Sequence, residues 1–284
     1  MILVTGAGGT VGSELGRQLD AARIPFHAGY STPEKAGRAR QAGLQAVHAP
    51  FGEPETLRVA LRGVEALFLL SGWSPSQTQL EINVVREAKK AGVRRIVKLS
   101  VWGAEGEDFS FAKAHRPVER EIEASRIAWT FLRPNGFMQN LSNFSGPSIK
   151  ARGAFHQPAG EARISHVDVR DIAAVALKAL TATGHEGRAY DLSGPEALTY
   201  GQIAEKLSAV IGRKVLYVEV TADQFKQWVV SAGVPEAYAD AVVDLTRYYI
   251  AGRAARISPD VKRVTGNDPI SFDRYARDHD WAFR

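Results

Sequence analysis

The first twelve residues, Met1-Ile-Leu-Val-Thr-Gly-Ala-Gly-Gly-Thr-Val-Gly12, constrain the fold of this 284-residue chain more than any other stretch. A short run rich in β-branched residues, Ile2 to Thr5, reads as a buried strand. Gly6, Gly9 and Gly12 then recur at three-residue spacing ahead of an amphipathic helix. A dinucleotide pyrophosphate needs this arrangement: the first glycine permits the strand-to-helix turn, the second admits backbone to the phosphates, and the third packs helix on strand. The phosphates then lie at a helix N-terminus, where unpaired N–H groups and the helix dipole favour negative charge.

Strand and helix signals alternate through the first half, which predicts a doubly wound parallel sheet. Helices are expected over 10–22, from Pro33 (with Thr32 as N-cap and Gly43 past the end), over 54–61, over 76–91 and within 111–125. Strands are expected over 24–30, 44–49, 66–70, 95–99 and 129–133. Gly63 and Gly92 close two of the helices, as C-terminal glycines do. Six strands with intervening helices make a complete dinucleotide-binding sheet.

After about Asn140 the pattern changes. The segment 142–152 holds Ser, Gly and Pro and reads as a crossing loop. Short strands at 163–166, 188–192 and 215–220 mix with helices near 169–180, 200–211, 222–232 and 235–251, and two more helices follow, capped by Ser258 and Ser271. The expected fold is therefore α/β: a Rossmann-type doubly wound parallel sheet over residues 1–140, then a smaller mixed α/β C-terminal lobe over 141–284 that binds substrate. The second half leaves room for returns of the chain to the first domain.

Composition narrows the function classes. The chain has no Cys, which excludes disulfides, thiol catalysis and Cys-ligated metals. Its net charge of +5 comes from scattered Lys and Arg and offers no basic stripe for nucleic acid. No apolar run reaches membrane-spanning length and the first strand begins at residue 2, so a cytoplasmic protein without a leader is expected. The helix over 76–91 can pair two subunits as a homodimer or pack on its own sheet.

Several stretches carry a resemblance: Val4-Thr-Gly-Ala-Gly-Gly-Thr-Val-Gly12, Phe68-Leu-Leu-Ser-Gly72, Arg95-Ile-Val-Lys-Leu-Ser100, His115-Arg-Pro-Val-Glu119, Thr130-Phe-Leu-Arg-Pro-Asn-Gly-Phe-Met-Gln-Asn140 and His166-Val-Asp-Val-Arg-Asp-Ile-Ala173. On these, the whole chain resembles the atypical short-chain dehydrogenase/reductases of the NmrA-like family, and within it the NAD(P)H-dependent quinone reductases and triphenylmethane reductases. The group holds both enzymes and redox-sensing regulators, so the resemblance implies the fold before it implies an activity.

In an open α/β sheet, ligands bind beyond the carboxyl ends of the strands. The expected cofactor residues are Gly6, Ala7, Gly9, Thr10, Val11 and Gly12, with Tyr30 and Ser31, Ser71 and Gly72, Ser100 and Val101, and Pro134, Asn135, Gly136 and Phe137. An acid at the end of the second strand would repel a 2′-phosphate, but this chain has Gly29-Tyr30-Ser31-Thr32 there, followed by Lys35, Arg38 and Arg40. That favours NADP(H) over NAD(H), with a solvated basic helix face as the other reading of the cations. Relatives commonly carry Arg directly after the second strand and Asp after the third. Here the latter stretch reads His48-Ala-Pro-Phe-Gly52, where Phe51 can pack on adenine or in the core.

No Tyr has a Lys four residues on, the spacing at which short-chain dehydrogenases use that pair, and on the corresponding helix the spacing is filled by His115 and Glu119. His115 is the candidate catalytic residue, a proton donor near where isoflavone-reductase relatives carry a lysine; its other reading is a cap or loop holder. Lys113 is a weaker candidate, and Glu119 is read as structural, paired with an Arg. His166 and Asp168 lack a third ligand at metal spacing, and Asp168 reads as a helix N-cap, so no metal is expected. Trp73, Trp102, Phe137 and Asn140 are the expected substrate slot, since exposed Trp at a cofactor-facing edge suits a flat ligand. Met138 follows the same edge, and Tyr248 and Tyr249 read as an opposite wall or as helix-packing core.

The function these residues imply is an NAD(P)H-dependent reductase that passes hydride directly to a quinone or similar flat conjugated acceptor, without flavin or metal. The alternatives are a non-enzymatic NADP-binding redox-sensing regulator and a reductase of a C=C or C=N bond in a specialised metabolite. The expected partner is a small-molecule substrate, with neither nucleic acid nor membrane.

Overall fold

The computed structural model describes residues 1–284. Nine strands and twelve α-helices follow in chain order: β1 (Ile2–Val4), α1 (Thr10–Ala21), β2 (Phe26–Tyr30), α2 (Pro33–Gln41), β3 (Ala46–His48), α3 (Pro54–Ala60), β4 (Ala66–Leu69), α4 (Gln77–Ala91), β5 (Arg95–Leu99), α5 (Ser110–Ser125) and β6 (Ala128–Pro134). The second half supplies α6 (Gly146–Arg152), β7 (Ala154–Gln157), α7 (Val169–Thr181), β8 (Arg188–Leu192), α8 (Tyr200–Ile211), β9 (Leu216–Glu219), α9 (Ala222–Ser231), α10 (Glu236–Ile250), α11 (Asp260–Thr265) and α12 (Phe272–Asp278). No helix is long and apolar enough to cross a membrane.

The main sheet is seven-stranded and mostly parallel, in the order β3-β2-β1-β4-β5-β6-β8. The chain steps outward from β1 to β3 and then returns to lay β4 on the other side of β1, with Ile2 opposite both Phe26 and Ala66. This reversal between β1 and β4 is the switch point at which such sheets open a crevice. Thr5 fixes it: its Oγ1 lies 2.9 Å from the carbonyls of Phe68 and Leu70 and accepts the Leu70 N–H at 2.9 Å.

Two compact units divide the chain discontinuously. The first comprises Met1–Glu105, Lys113–Arg133 and Ile172–Tyr190, and the second Gly106–Ala112, Pro134–Asp171 and Asp191–Arg284. In the first, Leu3, Leu57, Leu67, Val84, Ile96 and Phe131 belong to one buried cluster. In the second, Met138, Phe155, Leu207, Phe272, Tyr275 and Phe283 form another, beside a two-stranded parallel ladder of β7 and β9.

Three sequence expectations are corrected. Arg188–Leu192 does not lie in a separate lobe sheet but adds β8 beside β6, where Gly187 N–H donates to the Trp129 carbonyl at 2.8 Å and Thr130 Oγ1 donates to that of His185 at 2.7 Å. Pairing of this kind uses edge groups of β6 that would otherwise stay open. The expected loop at 142–152 is instead a π-turn over Leu141–Ser145 running into α6, with Pro147 in the helix's first turn, where its missing N–H costs nothing. The expected strand at 163–166 makes only one isolated bridge, Ile164 to Leu198, while β7 was hidden behind the Ser- and Gly-rich stretch.

Candidate active site

The turn from β1 into α1 forms a backbone cradle. Gly6 adopts φ +63°, and a side chain there would meet Leu70 at 2.9 Å. At Gly12 a Cβ would stand 2.2 Å from the Gly6 carbonyl oxygen, so the first turn of α1 rests directly on the loop. Gly9 caps α1 with no side-chain hydrogen bond, and the first turn carries no acid. Amides of this turn therefore face outward without an internal anion, the state in which a helix N-terminus takes a phosphate. Ala7 and Val11 are buried behind the cradle, and Thr10 is exposed at its lip. Glycines placed where a Cβ would fill the space, together with these donors, fit a dinucleotide pyrophosphate.

The strand ends beside it hold the other expected cofactor residues of the first unit. Ser31 and Lys35 are exposed after β2, and the ring of Tyr30 lies over Gly8, where a Cβ would come within 3.2 Å of it. Arg40 donates to the Ala46 carbonyl at 3.0 Å and so ties α2 to β3, whereas Arg38 is exposed. His48 Nε2 stands 3.3 Å from the Ser31 carbonyl, and Phe51 packs against the core. Ser71 and exposed Gly72 follow β4; Ser100 and half-buried Val101 follow β5. The Ser100 hydroxyl is buried and has no hydrogen-bond partner. An unpartnered hydroxyl at a strand's carboxyl end, where ligands bind, is suited to a hydrogen bond with a ligand.

A polar cluster lies below the ends of β4 and β5. Lys98 of β5 and Glu81 of α4 are both fully buried and paired at 2.8 Å. Lys98 Nζ also donates to the Leu99 carbonyl and stands 3.1 Å from His115 Nδ1. Glu81 Oε1 accepts from Ser71 Oγ at 2.7 Å. Burial, then the neighbouring Lys98 charge, holds the His115 imidazole well below the usual histidine range, so it is neutral. Glu119 is likewise buried and lies between Arg116 (3.0 Å) and Arg133 (2.8 Å), matching the structural reading of that residue. Lys113 is exposed.

Trp102 is enclosed, with 4% of its surface exposed, while Trp73 is half-buried; both lie in the first unit. Pro134, Asn135, Gly136, Phe137 and Asn140 fall in the second. There Asn135 acts as a buried strut: its amide donates to Ser165 Oγ and to the Ala254 carbonyl, and its oxygen accepts the Gly136 N–H. Gly136 is pressed by His166 and Tyr249, which a Cβ would meet at 3.0 and 3.1 Å. Phe137 is half-buried and Asn140 exposed, but Met138 belongs to the core of this unit and cannot wall an open slot. Tyr249 is core as well, in a small cluster with Ile164 and Ala254, and half-buried Tyr248 packs against it. Burial lowers His166 to about 4. Asp168 accepts from the Arg170 N–H at 2.8 Å at the start of α7 and pairs with the Arg170 side chain at 2.7 Å.

Sequence reasoning missed Lys98 and Glu81. Lys98 left one signal: strands covered on both faces read as nearly continuous apolar runs, and Arg95-Ile-Val-Lys-Leu99 places a cation inside one. Glu81 left none, because an acid on a helix is ordinarily a solvated one.

Residues 1–265 match the model of the NmrA-like family. The chain is 38% identical over 284 residues to an NAD(P)H azoreductase of Xenophilus azovorans, covering 100% of this chain and 99% of that protein. It is equally 38% identical, over 287 residues, to a (4-alkanoyl-5-oxo-2,5-dihydrofuran-3-yl)methyl phosphate reductase of Streptomyces griseus, again covering 100% and 99%. Among solved structures, the NADPH-dependent quinone oxidoreductase of Escherichia coli complexed with NADPH superposes with a TM-score of 0.88 at 29% identity, covering 99% of this chain and 100% of that one. With its sheet order, its glycine cradle and these likenesses, the chain belongs to the NmrA-like family, among its oxidoreductases.

Proposed function

We propose that this protein is an NAD(P)H-dependent reductase that delivers hydride directly to a quinone or similar flat conjugated acceptor, without flavin or metal. The observation that carries the reading is the uncapped, acid-free N-terminus of α1 resting on Gly6. Within the first unit, Gly6 to Gly12 would hold the pyrophosphate, Ser71 and Gly72 the region beside it, and Ser100 and Val101 the nicotinamide end. NAD(P)H when bound supplies the hydride. Ser31 and Lys35 are assigned to a 2′-phosphate, with no acid at the end of β2 to repel it, which favours NADPH. Trp73 contributes to the acceptor side.

Each hydride accepted by a quinone must be matched by one proton. His115 is assigned as its donor, since the usual Tyr and Lys four residues apart are missing from the chain. The azoreductase and quinone oxidoreductase relatives support a flat conjugated acceptor, and the equal likeness to the dihydrofuranyl phosphate reductase supports a second reading, in which an activated C=C bond is reduced. The purified protein is assayed for loss of reduced-nicotinamide absorbance with NADPH or NADH against benzoquinone, an azo dye and an unsaturated lactone, corrected for the uncatalysed rate. Fastest turnover on quinone or dye with NADPH is expected. Turnover confined to the lactone selects the second reading, and none with any acceptor despite cofactor binding refutes both.

A further inference from the structure

The buried ion pair of Lys98 and Glu81 needs an explanation, because two charges removed from water cost several kcal/mol each unless closely paired and hydrogen-bonded. The three protons of an ammonium are directed here at three acceptors: the Glu81 carboxylate at 2.8 Å, the Leu99 carbonyl, and His115 Nδ1 at 3.1 Å. A lysine ammonium has no lone pair, so His115 Nδ1 must supply one. The imidazole proton therefore resides on Nε2. Nε2 faces the side-chain amide of Gln77, whose nitrogen stands 3.5 Å away and whose oxygen, buried without a partner, can accept the Nε2 proton when the amide is turned over. Glu81 in turn holds Ser71 Oγ at 2.7 Å, at the carboxyl end of β4. One continuous line of polar atoms thus runs from Ser71 through Glu81 and Lys98 to His115, all within the first unit.

We propose that Lys98 and Glu81 are positioning residues which fix His115 in its Nε2–H form and keep it neutral by lending a proton to Nδ1 while the Nε2 proton is given up. This deepens the reductase reading above and rests on it. NAD(P)H when bound would supply the hydride and be left as NAD(P)+, and the acceptor takes the proton of His115 Nε2. His115 Nδ1 takes a proton from the Lys98 ammonium, leaving the imidazole neutral with its proton moved to the other nitrogen. Once the product leaves, His115 Nε2 takes a proton from solvent and Nδ1 returns its own to the Lys98 amine held by Glu81, which restores the Nε2–H form and the ammonium. No charge is stranded on His115, whose burial and cationic neighbour resist an imidazolium.

The test pairs nitrogen-15 NMR of the histidine rings with kinetics on Lys98→Met/Glu81→Leu, in which an apolar pair of similar volume replaces the ion pair so that the fold is retained. In the wild-type protein His115 should show a protonated Nε2 and an unprotonated Nδ1 that accepts a hydrogen bond, unchanged through the neutral range. In the double variant that tautomer preference should vanish and the ring should titrate closer to an ordinary histidine. Turnover should fall about 100-fold, as for loss of general acid catalysis, with cofactor affinity unchanged. A wild-type His115 protonated on Nδ1 overturns the proposal. So does a double variant with wild-type turnover, or one that loses stability and cofactor affinity together with activity. The NMR measurement needs no acceptor, so failure of the reductase reading would appear separately, as wild-type protein that reduces nothing.

Discussion

Gly12→Ala tests the cradle quantitatively. The added Cβ would lie 2.2 Å from the Gly6 carbonyl oxygen, 2.7 Å from its carbon and 3.0 Å from Ala7 Cα, all backbone atoms that cannot rotate aside. Relief to the shortest tolerated contact, 3.0 Å, needs α1 or the loop to move by about 0.8 Å, and an ordinary contact from 3.4 Å needs about 1.2 Å. Overpacking of this kind costs about 1–3 kcal/mol. The displaced groups are the amides assigned to the phosphates, so most of that cost should appear in binding, a loss of roughly ten- to a hundredfold at 1.4 kcal/mol per decade. Any share borne by the unliganded fold lowers Tm by about 2–4 °C per kcal/mol. NADPH affinity is read by fluorescence titration and Tm by calorimetry. Gly37→Ala in α2, where an added Cβ meets nothing within 4 Å, is the control and should leave affinity unchanged while raising Tm slightly. Wild-type affinity and Tm in Gly12→Ala would mean that contact between Gly12 and the Gly6 carbonyl does not set the cradle.

Three further outcomes are expected. Ser100→Ala removes a buried hydroxyl with no partner, so stability should hold or rise while NADPH binding weakens by about 0.5–1.5 kcal/mol, the worth of one hydrogen bond; calorimetry and titration read the two separately. Lys35→Ala should weaken NADPH binding several-fold in low salt and leave NADH untouched, and equal effects on both would remove Lys35 from the 2′-phosphate. Burial raises Asp171 from 3.8 to about 6, so the folded state holds its proton more tightly than the unfolded state and this residue's contribution to stability falls as pH rises across that window. Asp171→Asn keeps an oxygen for the Ile270 N–H, 2.8 Å away, and should gain roughly 2–3 kcal/mol in denaturant unfolding above that window, with little gain below it.

The glycine motif, the alternation of elements and the helix-closing glycines were legible because they are local: Gly92 stops α4 at φ +76°, and Thr32 accepts the Lys35 N–H as its cap role requires. What escaped depends on partners far along the chain. Arg188–Leu192 looks the same whether it pairs with β6 or with a lobe strand, and only the long-range ladder decides. Gly146 and Pro147 read as loop residues, yet they open α6, where Gly146 packs within 2.9 Å of the Ala282 carbonyl if given a Cβ. Met138 follows β6 and so its position in sequence suggests a rim, but its neighbours in the second unit bury it. Among the candidate site residues, His115 was visible by its place on the helix, whereas Lys98 and Glu81 acquire meaning only from the β4–β5 pairing and the helix that crosses it.

The proposed reaction is direct hydride transfer from the nicotinamide. It is tested by mixing the protein, free of flavin absorbance, with benzoquinone and NADPH deuterated at C4 on one face or the other, and following one turnover. Direct transfer gives an acceptor-dependent loss of nicotinamide absorbance that deuterium slows severalfold on one face only. A single turnover indifferent to deuterium on either face, or dependent on added flavin, would contradict it.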